Sequence, residues 1–328
     1  MLAIYMSRAY IDHDTSRYPP LQNSDTAIFE NASSCSLNGR QEYLKHKHIG
    51  GASFQKGNNY ENRFAVWKLA ELLNEHIDFQ IDGNVEAQKK DFFIDDLVID
   101  EAFGNFASCF QLKNRNNVGW GNGKKSSLSF DCFWQEKESY SGQIKVVINS
   151  SAACRKLQST KPVFLSNKVQ ILTFPNDSLE DLLDAHEMKD VISKLCAKER
   201  PENNLIRQVA LNLLAVWQES NGCCSISSLA TKIASIWPST IRVSVTDTEL
   251  KALKETEFAK ILSEIPNFNF DFRRGYFNYE YFQTKATFNH HVKTKEFADL
   301  QDWVIQNSPE EFEDKFEMEL LRRSLSNG

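Results

Sequence analysis

Asp95 and Asp96 stand side by side in the run FFIDDLVID, and the later run NFASCFQLKN carries Gln111 and Lys113 two positions apart. Residues of these types suit hydrolysis of a phosphodiester. That reaction needs a water made nucleophilic and a counter-charge for the leaving oxygen. A hard divalent cation supplies both when carboxylates, phosphate oxygens and waters hold it. A lysine nearby orients or deprotonates the water and stabilises the crowded phosphate. Side chains two apart on a strand share a face, so Gln111 and Lys113 are delivered together.

The elements that must position these groups are legible in part. From Tyr60 the apolar residues Phe64, Ala65, Trp67, Leu69, Leu72 and Leu73 recur at helical spacing. Gly50, Gly51 and Gly57 are expected to punctuate a turn before this helix, with Asn58 as its N-cap. Glu61 shares a stripe with Ala65, Leu69 and Leu72 and can reach toward the sheet. Asn58-x-x-Glu61 equally fits a capping box, in which the glutamate bonds back to the cap residue. The runs IDFQIDGNVEA, FFIDDLVID, NFASCFQLKN and 161–174 read as strands. In the third, Phe106, Ser108, Phe110 and Leu112 face one way, and Ala107, Cys109, Gln111 and Lys113 the other. Alternation pairs Asp95 with Leu97 and Ile99, and Asp96 with Ile94 and Val98. Either aspartate can therefore be the principal ligand.

The order of glycine-led helix, IDDLVI and FQLKN resembles the PD-(D/E)XK nuclease superfamily. It looks closest to a variant with glutamine at the second acidic position, found in anti-phage endonucleases such as the Lamassu nuclease subunit. The resemblance covers roughly residues 50–175. It implies an α/β fold with a mixed sheet flanked by helices, and Mg²⁺ as cofactor, with Mn²⁺ as substitute. By position it makes Asp96 the metal ligand, Gln111 the second ligand, Lys113 the catalytic lysine and Glu61 the helix carboxylate. Asp95 is a further candidate ligand. No proline precedes the aspartate, and the neutral Gln111 leaves the site one negative charge short. The implied activity is DNA endonuclease action within a defence complex against phage or plasmids. The implied partners are DNA, an SMC-like ATPase subunit, a small accessory subunit and a homo-oligomer formed on activation. A catalytically idle DNA-binding or scaffolding subunit is the alternative, and an RNase of the same fold differs only in substrate.

Three regions are expected: an extended N-terminal arm over 1–45, the nuclease domain over 46–175, and a mainly helical assembly or sensing domain over 176–328. The loop NRNNVGWGNGKKSS offers Arg115, Lys124 and Lys125 to a DNA backbone, although its composition also fits any solvated loop. Trp120 either touches nucleic acid or folds back on its own domain. Lys45 to His48 and the pair His290-His291 are expected at the surface. NFNFDFRRGYFNYEYF reads as a hairpin turning at Arg274-Gly275. The segment 205–282 has a winged-helix outline, but a helical interaction module is the favoured reading. In the last two helices, Phe297, Leu300, Trp303, Phe312, Phe316, Leu320 and Leu321 form an apolar stripe that either docks a partner or packs on its own domain.

Composition sets the outer limits. Hydrophobic content of 41% and charged content of 25% are those of an ordinary globular protein. A net charge of −6 argues against indiscriminate coating of nucleic acid. Seven cysteines without a C-x-x-C pair read as reduced thiols in a cytoplasmic protein, with Cys223 and Cys224 as core or turn residues. The opening residues lack the pattern of a signal peptide, and no apolar run is long enough to span a membrane.

Overall fold

The computed structural model describes residues 23–325 apart from 55–58, 102–106, 139–141, 166, 168, 186, 238–239, 283, 311 and 313–314. Its centre is a six-stranded mixed sheet built from β1 (Gly83–Glu86), β2 (Leu97–Glu101), β3 (Ala107–Lys113), β4 (Gln143–Ile148), β5 (Val169–Thr173) and β6 (Cys223–Ser225). The spatial order is β5-β4-β3-β2-β1-β6. β1, β2 and β3 pair antiparallel, and β3, β4 and β5 pair parallel. Parallel strands need a crossover between them. Two helices supply it: α4 (Leu128–Lys137) and α5 (Ser151–Ser159).

Pleating sends alternate side chains of β3 into two separate cores. Phe110 and Leu112 join Leu97, Ile99, Val85 and Val147 under α3 (Asn59–Phe79). There Trp67 and Phe174 stack nearly parallel at 5.4 Å between centroids, and Phe64 meets both rings edge-on. Cys109 faces the other way, with Val98, Ile144, Val146 and Ile148, under α4 and α5. Burying aliphatic and aromatic groups on both faces is the main stabilising force of the sheet.

Two expectations need correction. The first concerns the arm: residues 23–54 are not extended but form α1 (Asn23–Ser33) and α2 (Leu37–Phe54). Ala32 and Leu44 are buried in the second core, so these helices belong to the sheet's packing. The helix α2 also runs through Gly50-Gly51, where a turn was expected; Gly57 and Asn58 lie outside the described residues.

The second concerns the boundary at 175. α6 (Leu179–Ala185), α7 (Met188–Leu195), α8 (Asn203–Glu219) and α9 (Ile226–Ile236) pack on α3 within the first core, and β6 extends the sheet beside β1. Residues 176–241 thus complete the first unit. A separate core gathers α10 (Asp247–Lys254), α11 (Glu257–Glu264), β7 (Phe268–Arg273), β8 (Tyr276–Tyr281), β9 (Thr284–His291), α12 (Lys295–Asn307) and α13 (Lys315–Leu325). The expected hairpin is β7–β8, and β9 continues it into a three-stranded sheet.

Of the two arrangements expected for the terminal stripe, packing on its own domain is the one seen for most of its residues. Phe297, Leu300, Phe312, Phe316 and Leu320 are buried against their own sheet, Trp303 is partly buried there, and Leu321 is 47% exposed. Among the described residues, no helix is long and apolar enough to cross a membrane.

Candidate active site

The strand β2 begins at Leu97, so Asp95 and Asp96 occupy the bend that enters it. The bend is held from below by α4. Gln135 accepts from Phe93 N at 2.8 Å and from Ile94 N at 2.9 Å through one buried oxygen. α4 starts where Ser127 caps Phe130 N, and it is buried from Leu128 to Gln135. Asp131 and Gln135, four apart and so on one helical face, are its polar inlets toward the bend.

This bend turns the two aspartates to different partners. Asp96 Oδ2 accepts from Leu112 N at 2.7 Å and from Gln111 Nε2, and Asp96 Oδ1 accepts from Gln88 Nε2 at 3.2 Å. Asp95 instead meets α2: Lys47 Nζ lies 2.9 Å from Asp95 Oδ1 and 3.3 Å from Asp131 Oδ2. Tyr43 O–H donates to Asp131 Oδ1 at 2.8 Å. Lys47, expected at the surface, is therefore the counter-ion of two buried carboxylates. Its neighbours Lys45 and His46 are exposed as expected.

Burial pushes the Asp95 carboxyl up to about 6; Lys47 opposes this, while the Asp96 and Asp131 charges reinforce it. Burial likewise raises Asp131, against the pull of Lys47, the Tyr43 hydrogen bond and the charge of Lys113. For Lys47, desolvation favours loss of the proton, but Asp131 and Asp95 outweigh it and hold the ammonium charged. Lys113 ends β3, partly exposed on the same face as Gln111. Glu61 sits in the first turn of α3, which covers the opposite face of the sheet.

The fit of a divalent cation depends on the donor atoms at this bend. Gln111 is 2% exposed, and its Oε1 is buried with no hydrogen-bond donor while its amide nitrogen is turned to Asp96. An unpaired buried acceptor beside a carboxylate suits a cation. Among the described residues, no three His, Cys, Asp or Glu side chains gather to hold a metal ion. A cation here would rest on Asp96 and Gln111, with waters and phosphate oxygens completing its shell, as Mg²⁺ accepts. Asp95 Oδ1 also lacks a directed donor, but the Lys47 ammonium already neutralises that carboxylate.

The loop beyond Lys113 presents Arg115, Lys124 and Lys125, all exposed. Trp120 folds back, its Nε1 donating to Leu157 O at 2.9 Å. Gly123, at φ 78°, lies so close to α1 that an added Cβ would meet Ile28 O at 2.1 Å. His290 and His291, expected exposed, are 3% and 1% exposed.

Sequence reading missed Lys47, Tyr43, Asp131, Gln135 and Gln88. The available signal was the pair Asp131 and Gln135 in an otherwise apolar stretch, LSFDCFWQ. Nothing local marks Lys47, whose partners lie far along the chain. No family model, curated protein or solved structure matches the chain.

Proposed function

We propose that this chain is a Mg²⁺-dependent DNA endonuclease of the PD-(D/E)XK kind, acting at Asp96, Gln111 and Lys113. The observation that carries the reading is the convergence of Gln111 and the Asp96 carboxylate on the face of β3 that also bears Lys113. Asp96 and Gln111 would hold the cation, which supplies Lewis-acid polarisation of the phosphate and a more acidic water. Lys113 stabilises negative charge gathering on the phosphate and orients the attacking water. Arg115, Lys124 and Lys125 engage backbone phosphates, a sequence-independent attraction that concentrates positive charge on a chain whose net charge is −6. Such an enzyme fits a defence effector that acts on phage or plasmid DNA within a larger complex. The neutral Gln111 makes its cation site modest, so activation by assembly belongs to the proposal.

A second reading is a catalytically idle DNA-binding or scaffolding subunit. It is favoured by the Lys47 ammonium, which already occupies the space between Asp95 and Asp131 as their shared ion-pair partner. The two readings part on nicking of supercoiled plasmid by the chain with its co-purified partners, in Mg²⁺ and in EDTA. The nuclease reading expects Mg²⁺-dependent nicking that Lys113→Ala removes. Plasmid binding without nicking points to the idle subunit.

A further inference from the structure

Two adjoining cavities lie at the seam between the six-stranded unit and the β7–β8 hairpin, sharing Asp78, Arg242 and Arg274. The first, about 160 Å³, is lined also by Lys194, Lys198, Glu199 and Tyr276. Four cationic side chains there face two carboxylates, Asp78 and Glu199, an excess of two positive charges. Arg242 is 4% exposed, and its guanidinium is oriented by Asp78 Oδ1 at 2.7 Å and Asn74 Oδ1 at 2.9 Å. Its Nε–H is buried without an acceptor. Buried donors are seldom left so.

The second cavity, about 300 Å³, is apolar on one side, with Ile77, Phe79, Val243, Val245 and Leu250, and adds one acid, Asp247. Phe79 is 72% exposed, a large ring held out toward solvent at the end of α3. Arg274 stands at the junction of both cavities. It opens the two-residue turn at φ 53° and Gly275 follows at φ 76°. Two left-handed residues in succession favour Asn-Gly or Gly-Gly, so an arginine at the first position is strained. Strain of this kind persists where the side chain serves a purpose.

We propose that this seam binds a nucleotide-type ligand, with its phosphates among Arg242, Arg274 and Lys194 and its ring against Phe79. Exposed aromatic rings stack on nucleobases of any identity. Fixed cations beside such a ring confer preference for a phosphorylated molecule. The lining residues come from both units, so a bound ligand ties the hairpin to α3 and α7.

The test uses the full chain and mant-labelled ADP, followed by fluorescence in EDTA so that cation-dependent binding at Asp96 does not contribute. The probe should bind and be displaced by pyrophosphate. Arg274→Gly relieves the turn and leaves thermal stability intact, yet with Lys194→Glu it should weaken binding at least about tenfold. Phe79→Ser should weaken the probe but not the action of pyrophosphate as competitor on the binding that remains. Absence of probe binding, failure of pyrophosphate to compete, or undiminished binding by the Arg274→Gly/Lys194→Glu chain would each overturn the proposal.

Discussion

Gln111 donates to the same Asp96 oxygen that accepts the backbone N–H of Leu112 at 2.7 Å. One carboxylate oxygen therefore clasps both a side chain and the backbone of β3, and the bend entering β2 is locked to the strand it serves. Asp96→Ala strands the Leu112 N–H and should cost about 1–3 kcal/mol of stability. Asp96→Asn keeps an acceptor oxygen and should cost less, while removing the negative charge that the proposed cation needs. Urea unfolding of the two variants beside the wild type checks the order. Equal stability of Asp96→Ala and wild type would mean the clasp contributes nothing.

Lys47 is the next point of failure. Taking away the ammonium leaves Asp95 and Asp131 buried without a counter-ion, which typically costs about 3–5 kcal/mol. Lys47→Met should show a loss of this size, and Asp95→Asn added to it should restore part. The double-mutant cycle in denaturant reads the coupling directly. Strict additivity of the two substitutions would contradict the ion pair.

Two buried groups give opposing pH dependences. Asp95 holds its proton more tightly in the fold, up to about 6, so its contribution is fully present below its unfolded value and is lost as pH rises through about 6. His291 is pushed down to about 4, first by burial and then by Arg242 and Lys293. Its contribution is present above its unfolded value of 6.5 and is lost as pH falls through about 4. Asp95→Asn should therefore flatten the loss of stability on raising pH from about 4 to 6, and His291→Asn the loss on lowering it across the same window. Urea midpoints across that window measure both. A histidine variant with the wild-type pH slope would mean that His291 takes up its proton freely in the fold.

How far these relationships were legible follows from where their signals lie. The shared face of Gln111 and Lys113 rests on a two-residue spacing within one strand and was readable, whereas the choice of Asp96 as their neighbour came from the family resemblance. Alternation alone could not separate Asp95 from Asp96, because both precede the strand and the bend sends them to different partners. The strand QIKVVI and the helix α4 went unread for one reason: each is buried on nearly all sides, so neither shows a solvent stripe that periodicity could detect. KHKH reads as a surface run because the acids that bury Lys47 are distant in sequence. The boundary at 175 failed because the helices after it complete the core under α3 instead of starting a new one.

The loop that carries Arg115, Lys124 and Lys125 meets α1 at Gly123, beside the bond from Asn31 Nδ2 to Asn122 O at 2.9 Å. Gly123→Ala combines a left-handed backbone with a Cβ 2.1 Å from Ile28 O, so the loop must part from α1. A loss of about 1–3 kcal/mol is expected. Faster proteolysis within 114–127 should accompany it. Unchanged stability and cleavage pattern would show that the loop has no need of that contact.

The proposed nuclease requires a cation held by Asp96 beside Lys113. Its most direct test is the rate of supercoiled-plasmid cleavage in Mg²⁺ by the chain with its co-purified partners, wild type against Asp96→Asn. Cleavage should be abolished by EDTA and reduced at least about a hundredfold by Asp96→Asn, a loss of roughly 2.7 kcal/mol of transition-state stabilisation. Cleavage by Asp96→Asn at the wild-type rate, or cleavage that persists in EDTA, would contradict it.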